Sequence, residues 1–327
     1  MENNVLISAK GLKKYFPISS FLGGKKKYVR AVDGIDIDIY KGETFGLVGE
    51  SGCGKSTLGK TLIRMYEPDA GKIYYKGEDI TVKNANKLKS VQNSMQIIFQ
   101  DPYSSLNPFW NVEEILSEPL KKLKLEKSQM HEKIKTILHK VGMSEEDMIK
   151  FPYEFSGGQR QRIGIARALL VNPEFIMCDE PIAALDVSIQ AQVVNLLQDL
   201  QKELGLTYLF TAHDLSMVRY ISNRIGVMYL GSMVEIANSK KLFERPLHPY
   251  TKALLFAVPG AHPIKKNIKN KLKLSGEVSQ IFDDPSACRF APRCIYKTGI
   301  CEKECPKLRE IEGGHRVACH NAESINS

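Results

Sequence analysis

Residues Gly49 to Ser56 read Gly-Glu-Ser-Gly-Cys-Gly-Lys-Ser, and their flanks restrict how this segment can fold. The apolar run Thr44-Phe45-Gly46-Leu47-Val48 has the character of a buried strand, and Thr57-Leu58-Gly59-Lys60-Thr61-Leu62 continues as a helix. Glycines placed between strand and helix let the backbone curl until successive N–H groups converge at the positive end of the helix dipole. Such a concavity suits phosphate: Lys55 would reach the β- and γ-phosphates of a nucleotide, and the Ser56 hydroxyl would sit on Mg²⁺. A glycine-rich turn that binds nothing is the plainer alternative, and the Gly-Lys-Ser ending counts against it. Short β-rich runs alternate with helical stretches on either side, as expected of an α/β fold with a parallel sheet.

A phosphate loop serves many enzymes, and later segments narrow the choice. Phe151 to Arg162 reads Phe-Pro-Tyr-Glu-Phe-Ser-Gly-Gly-Gln-Arg-Gln-Arg and runs into a helical pattern through Leu170. Ser156 is a good N-cap, and Gly157 and Gly158 would leave bare N–H groups at that helix start. An ordinary capped helix begins the same way. One triphosphate needs one cradle, so a second anion-binding terminus is most economically read as gripping a nucleotide carried by another subunit. The apolar strand Glu174 to Cys178 ends in Asp179 and Glu180, and Tyr208 to Ala212 delivers His213 to the same edge of the sheet. Paired carboxylates there could bind Mg²⁺ and activate water, or could simply be solvated. A lone histidine at a strand end is commonly structural.

In this order the motifs resemble those of ATP-binding-cassette (ABC) ATPases, over residues 5 to about 235, with Ser156-Gly157-Gly158-Gln159 matching the family signature. The resemblance implies a P-loop NTPase core, a RecA-like parallel sheet with an antiparallel β layer, plus an inserted helical subdomain. It implies that Gly49, Glu50, Ser51, Gly52, Cys53, Gly54, Lys55, Ser56 and Thr57 bind ATP. Asp179 would hold Mg²⁺ through its water shell, Glu180 would orient or deprotonate the attacking water, and His213 would contact the γ-phosphate. Gln100 matches the glutamine that senses Mg²⁺ and water. Ser156, Gly157, Gly158, Gln159 and Asp186 would complete the partner's site across a dimer interface. Tyr15 sits where the family usually places an aromatic on adenine; Tyr28 is the alternative, because Pro17 to Lys27 lengthens the usual spacing. No catalytic position departs from the family pattern.

The expected organisation is a nucleotide-binding core from residues 1–100 and 166–235, with the signature subdomain in 101–165. The antiparallel layer would use Val5-Leu6-Ile7, the alternating Ile35 to Ile39, and Lys72 to Tyr75. A helix and basic linker would fill 236–273, and a small Cys-rich, metal-binding module 274–327. The cassette is not repeated internally, so a two-cassette site needs a second chain. Within 327 residues there is no apolar run near the ~20 needed to cross a bilayer, and the N-terminus shows no secretory segment. The expected place is therefore the cytoplasmic face of the membrane. The formal charge of +9 gathers partly in Lys25 to Lys27 and in Lys265, Lys266, Lys269, Lys271 and Lys273. No aromatic residues interleave with these lysines, so solvated loops are expected rather than a nucleic-acid surface.

His248-Pro249-Tyr250-Thr251-Lys252, Leu274-Ser275-Gly276-Glu277-Val278 and the cysteines beyond them look like the C-terminal region of oligopeptide and dipeptide importer ATPases. That resemblance implies a second, unlike ATPase subunit, two transmembrane permease subunits and an extracytoplasmic substrate-binding protein as partners. An importer of nickel, haem or sugars, or a soluble non-transport ABC ATPase, are the alternatives. Five of the seven cysteines lie in the last forty residues. Gathered soft thiolates suit an iron–sulfur cluster or Zn²⁺, or else are free thiols packed in a small module. The family pattern matches Cys288, Cys294, Cys301 and Cys319, leaves Cys305 extra, and favours a [4Fe–4S] cluster held apart from the ATP motifs, whose loss would leave ATP binding intact. Cys53, at a helix N-terminus beside Lys55, is expected to favour thiolate and to react readily with alkylating reagents.

Overall fold

The computed structural model describes residues 4–18, 27–82, 91–213, 215–257 and 286–326. It divides into two compact units, one built from residues 1–40, 44–82 and 212–327, the other from 41–43 and 83–211. Lys25, Lys26, the lysines from Lys265 to Lys273, and Leu274 to Val278 lie outside the described residues.

The first unit contains an antiparallel sheet in the order β2-β1-β4-β5, from β1 (Val5–Ile18), β2 (Lys27–Tyr40), β4 (Ala70–Tyr75) and β5 (Glu78–Asp79). Ile35, Ile37 and Ile39 are buried while Asp36 and Asp38 point away, which is the period of two that marks a strand with one face packed. β1 and β2 are longer than the apolar pattern suggests. Their pairing runs from Val5↔Tyr40 to Ile18↔Lys27, so the extra residues after Tyr15 extend a hairpin and place Tyr15 opposite Arg30.

In the same unit, β3 (Thr44–Val48) pairs in parallel with β9 (Arg224–Tyr229), Phe45 opposite Arg224 and Val48 opposite Val227. Every residue of β3 is buried, as a strand covered on both faces requires. β10 (Ser232–Asn238) runs antiparallel to β9, β12 (His315–Val317) antiparallel to β10, and β11 (Arg309–Glu312) antiparallel to β12. The cysteine-containing tail thus adds strands to the sheet that carries the phosphate loop.

The second unit holds the parallel strands β6 (Met95–Ile98), β7 (Phe175–Asp179) and β8 (Thr207–Ala212), in register from Met95↔Phe175 and Phe175↔Thr207 onward. With the first-unit helix α1 (Lys55–Leu62) counted first, its helices are α2 (Val112–Leu120), α3 (Lys127–Lys140), α4 (Gly157–Leu169) and α5 (Val187–Leu204). Asn111 and Glu114 form a reciprocal capping box at α2, and α5 stops where Gly205 turns left-handed at φ 65°. The first unit is completed by α6 (Leu215–Ile221), α7 (Ser239–Glu244), α8 (Pro249–Ala257) and α9 (Ala322–Asn326).

Candidate functional site

The phosphate loop is held by contacts from well outside its own sequence. Gly54 begins α1 at φ 107°, and a Cβ there would meet the Ala31 carbonyl oxygen at 1.9 Å, so only glycine closes the loop. Lys55 is buried and folds its Nζ back to donate to the carbonyls of Gly49 at 2.8 Å and Glu50 at 3.2 Å. Ammonium and backbone N–H groups are thereby gathered where a phosphate would neutralise them. The Glu50 N–H donates to the Tyr250 hydroxyl oxygen at 2.8 Å, and the Gly231 N–H to the Cys53 carbonyl at 2.9 Å. Ser51 and Gly52 face solvent, and Ser56 and Thr57 are half-buried on the first turn of α1.

Cys53 departs from expectation. Its side chain is 1% exposed, and burial, opposed by Lys55, raises its thiol above the ordinary value. Desolvation outweighs the helix dipole because the sulfur sits behind the loop. The exposed thiol is Cys305, so an alkylating reagent meets that residue first.

In the second unit, Gln100 and Glu180 come together: Gln100 Nε2 donates to Glu180 Oε2 at 3.1 Å. The Glu180 backbone is left-handed at φ 46°, a strained conformation for a non-glycine residue that turns its carboxylate out of the strand line. Its N–H donates to Thr211 Oγ1 at 3.0 Å, and the Thr211 hydroxyl lies 3.3 Å from Asp179 Oδ1 and 3.3 Å from the Cys178 carbonyl. Thr211 therefore braces the Asp179 carboxylate and the Glu180 backbone, a role without any sequence signal beyond its place on β8. His213 follows β8 directly and is exposed.

The helix start at Ser156 carries its own capping box. The Gln159 N–H donates to Ser156 Oγ at 3.3 Å, and the Ser156 N–H to Gln159 Oε1 at 3.0 Å. Both side chains are exposed. A Cβ on Gly158 would meet Ile189 Cγ2 at 2.5 Å, so α4 and α5 approach over a glycine. Asp186 caps α5 by position but without a side-chain hydrogen bond, and it is exposed; Gln190 Nε2 ties the loop before it by donating to the Ile182 and Leu185 carbonyls.

Tyr15 is half-buried, donates its hydroxyl to Asp33 Oδ1, and lies with the Arg30 guanidinium 5.0 Å from its ring centre. Burial alone would raise Asp33, but the Tyr15 hydroxyl, Arg289 and Arg30 outweigh it and hold the carboxyl below its usual range. Tyr28 sits opposite Pro17 and is exposed.

Cys288, Cys294, Cys301 and Cys319 line one small cavity with Phe290, Ala291, Ile325 and the polar edge of Asn321. Backbone bonds from the Cys288 N–H to the Cys301 carbonyl at 2.9 Å and from the Cys294 N–H to the Ala291 carbonyl at 3.3 Å fold the turns that bring them there. Burial, aided by neighbouring thiols, pushes Cys288 and Cys319 up to about 11. Among the described residues, no three His, Cys, Asp or Glu are close enough to hold a single metal ion. The four soft thiols are of the donor type that an iron–sulfur cluster would use. Cys305 is exposed and shares a second pocket with Cys288, Arg289 and Phe290.

Beside this cavity the structure adds a network that the motifs do not announce. Glu235 is fully buried and accepts from the Leu247 N–H at 2.7 Å and the His248 N–H at 2.9 Å, and its carboxylate lies 2.7 Å from His315 Nε2. His248 Nδ1 accepts from the Tyr250 N–H at 3.0 Å, and burial lowers its pKa to about 4. The imidazole is therefore neutral and caps α8.

Comparison with known proteins bears on the whole length. A model of the ABC transporter family matches residues 32–183, and one described as the oligopeptide/dipeptide transporter C-terminal region matches 234–301. The chain is 48% identical over 318 residues to the oligopeptide transport ATP-binding protein AppF of Bacillus subtilis, covering 96% of this chain and 97% of that one. It is 44% identical to the dipeptide transport ATP-binding protein DppF of Escherichia coli, covering 96% and 93%. Among solved structures, cbiO1 of Clostridium perfringens, part of an ABC transporter complex, aligns with a TM-score of 0.63 at 27% identity over 74% of this chain and 91% of that one.

Proposed function

This chain belongs to the oligopeptide/dipeptide transport ATP-binding proteins of the ABC family, and from that membership we propose that it is the ATP-hydrolysing, energy-coupling subunit of a peptide importer. The observation that carries this reading is the similarity to peptide-transport ATP-binding proteins over 96% of the chain, cysteine-rich tail included. Residues Gly49 to Thr57 hold the phosphates of MgATP, with Ser56, Gln100 and Asp179 around the metal. Glu180, oriented by Gln100 and Thr211, draws the proton from the attacking water. His213 contacts the γ-phosphate, and Tyr15 or Tyr28 the adenine. The exposed start of α4 and Asp186 close on a nucleotide held by a second ATPase subunit.

Among the described residues no helix is long and apolar enough to cross a membrane, so two permease subunits and an extracytoplasmic binding protein complete the importer. The chain sits peripherally on the cytoplasmic face. Exposed Tyr103, Phe109, Ile149 and Tyr153 in the second unit support a docking role for that unit. Cys288, Cys294, Cys301 and Cys319 hold a [4Fe–4S] cluster, which supplies covalent cross-links among the tail's turns rather than redox chemistry for ATP hydrolysis. Anaerobically purified protein is expected to be brown, with broad absorption near ~400 nm, and serine at any of the four positions to bleach it. Colourless anaerobic protein refutes the cluster.

The functional test is purification of the intact complex and reconstitution with its binding protein. ATP-dependent uptake of di- or oligopeptides is expected. Uptake of nickel, haem or sugar with no peptide transport would overturn the substrate class while leaving the ATPase standing.

A further inference from the structure

The turn from Cys288 to Cys294 carries two arginines whose contacts lead to the nucleotide site. Arg293 donates from its two terminal nitrogens to both Glu50 oxygens, at 2.8 and 3.0 Å, with side chains 9% and 22% exposed. Glu50 is the second residue of the phosphate loop, and its own carbonyl accepts from Lys55. Arg289 donates to the Leu230 carbonyl and, at 2.5 Å, to Asp33, with side chains 6% and 7% exposed. Leu230 precedes Gly231, whose N–H holds the Cys53 carbonyl, and Asp33 is the acceptor of the Tyr15 hydroxyl. One arginine grips the start of the loop. The other grips the turn behind its end and the acid behind Tyr15.

We propose that Arg293 and Arg289 are positioning residues for ATP binding, a two-point clamp through which the cysteine turn orders the phosphate loop. The proposal rests on reading residues 49–57 as the ATP site. A glycine-rich loop has many unliganded conformations, and phosphate binds only those in which the N–H groups converge, so ordering it beforehand raises affinity. The chemistry of the contacts agrees. A forked, bidentate guanidinium–carboxylate pair fixes orientation as well as distance. Both guanidinium Nε–H groups are buried with no acceptor among the described hydrogen bonds, a cost that mere attachment of a tail by apolar packing avoids. The tail thus touches the phosphate loop directly, and the clamp couples two parts that the sequence pattern sets in separate modules.

Equilibrium binding of MgATP to the full chain tests this, with thermal unfolding without nucleotide as the check on folding. Arg293→Ala is expected to weaken MgATP about tenfold, a typical coupling between connected sites, with KM bearing the loss while turnover at saturating MgATP stays near that of the parent. Arg293→Lys keeps the charge but not the fork and falls between. Arg293→Ala combined with Glu50→Ala binds no more weakly than the worse single change, because both remove one interaction. If Arg293→Ala does not fold, Glu50→Gln, which keeps the side-chain shape, carries the same test with a smaller loss. Parent-like affinity in these variants, or losses that add in the double change, overturns the clamp. Parent protein that binds no MgATP takes down the ATP reading and the clamp together. Binding that is lost in Lys55→Ala but untouched in Arg293→Ala takes down the clamp alone.

Discussion

Two glycine-rich helix starts in this chain are built in opposite ways. At Ser156 a capping box within four residues ties down the Ser156 and Gln159 N–H groups, and the side chains face solvent. At Gly54, α1 begins with no side-chain cap, and the loop before it is held by Tyr250, Gly231 and Arg293 from distant parts of the chain. A local device can be presented outward to another molecule because it needs no support. The phosphate loop needs convergent N–H groups that its own sequence cannot keep in place, so tertiary partners do so. The start at Gly54 should therefore respond to changes far away, and the start at Ser156 only to changes nearby.

The largest effect should separate hydrolysis from binding at either start. Glu180→Gln, in an assembly whose partner site is disabled, is expected to lower turnover by ~10²-fold or more while MgATP still binds and a closed dimer accumulates. Normal turnover would remove Glu180 from the chemistry. Next, Lys55→Ala takes away a charge-assisted donor and should weaken MgATP by roughly 10- to 10²-fold in the isolated chain. Ser156→Ala should leave that affinity alone, and a drop there would break the contrast between the starts.

A third test uses pH. His248 has a depressed pKa of about 4 against an ordinary 6.5, so the folded state resists a proton that the unfolded chain accepts. Its stabilising share is complete above pH 6.5 and is lost as pH falls toward 4, reaching about 2 kcal/mol by pH 5. Denaturant midpoints of the first unit should fall accordingly between pH 7.5 and 5. His248→Asn, which keeps an acceptor for the Tyr250 N–H, should flatten that slope, and an unchanged slope would assign the titration elsewhere. The smallest effect is local: Ser156→Ala should cost about 1 kcal/mol at α4, read by amide exchange in its first turn. Protection lost equally at α1 would show that the two starts are not independent.

Much of the site was legible because its chemistry is local. Thr44 to Val48 is the strand expected, the helix begins at Lys55, and the carboxylate pair ends β7. Cys53 was misread for a physical reason: dipole and charge are visible in sequence, whereas burial that raises the thiol is decided by what packs behind it. The length of β1 and β2 was also underread, since Pro17 and the lysines carry no apolar alternation and the pairing is supplied by the opposite strand.

The chain by itself determines a glycine-rich turn between strand and helix, a strand-end carboxylate pair, a self-capped helix start at Ser156 and a gathering of cysteines, because each depends on residues close in sequence. Only the tertiary structure decides that Gln100 meets Glu180, that Glu235 is buried among His248 and His315, and that Arg293 seizes Glu50 from 243 residues away. Spacing in sequence fixes torsions and caps, but it says nothing of which distant charges are desolvated together. Burial is what makes such a pairing obligatory, since a charge left there alone would cost more than the fold can spare.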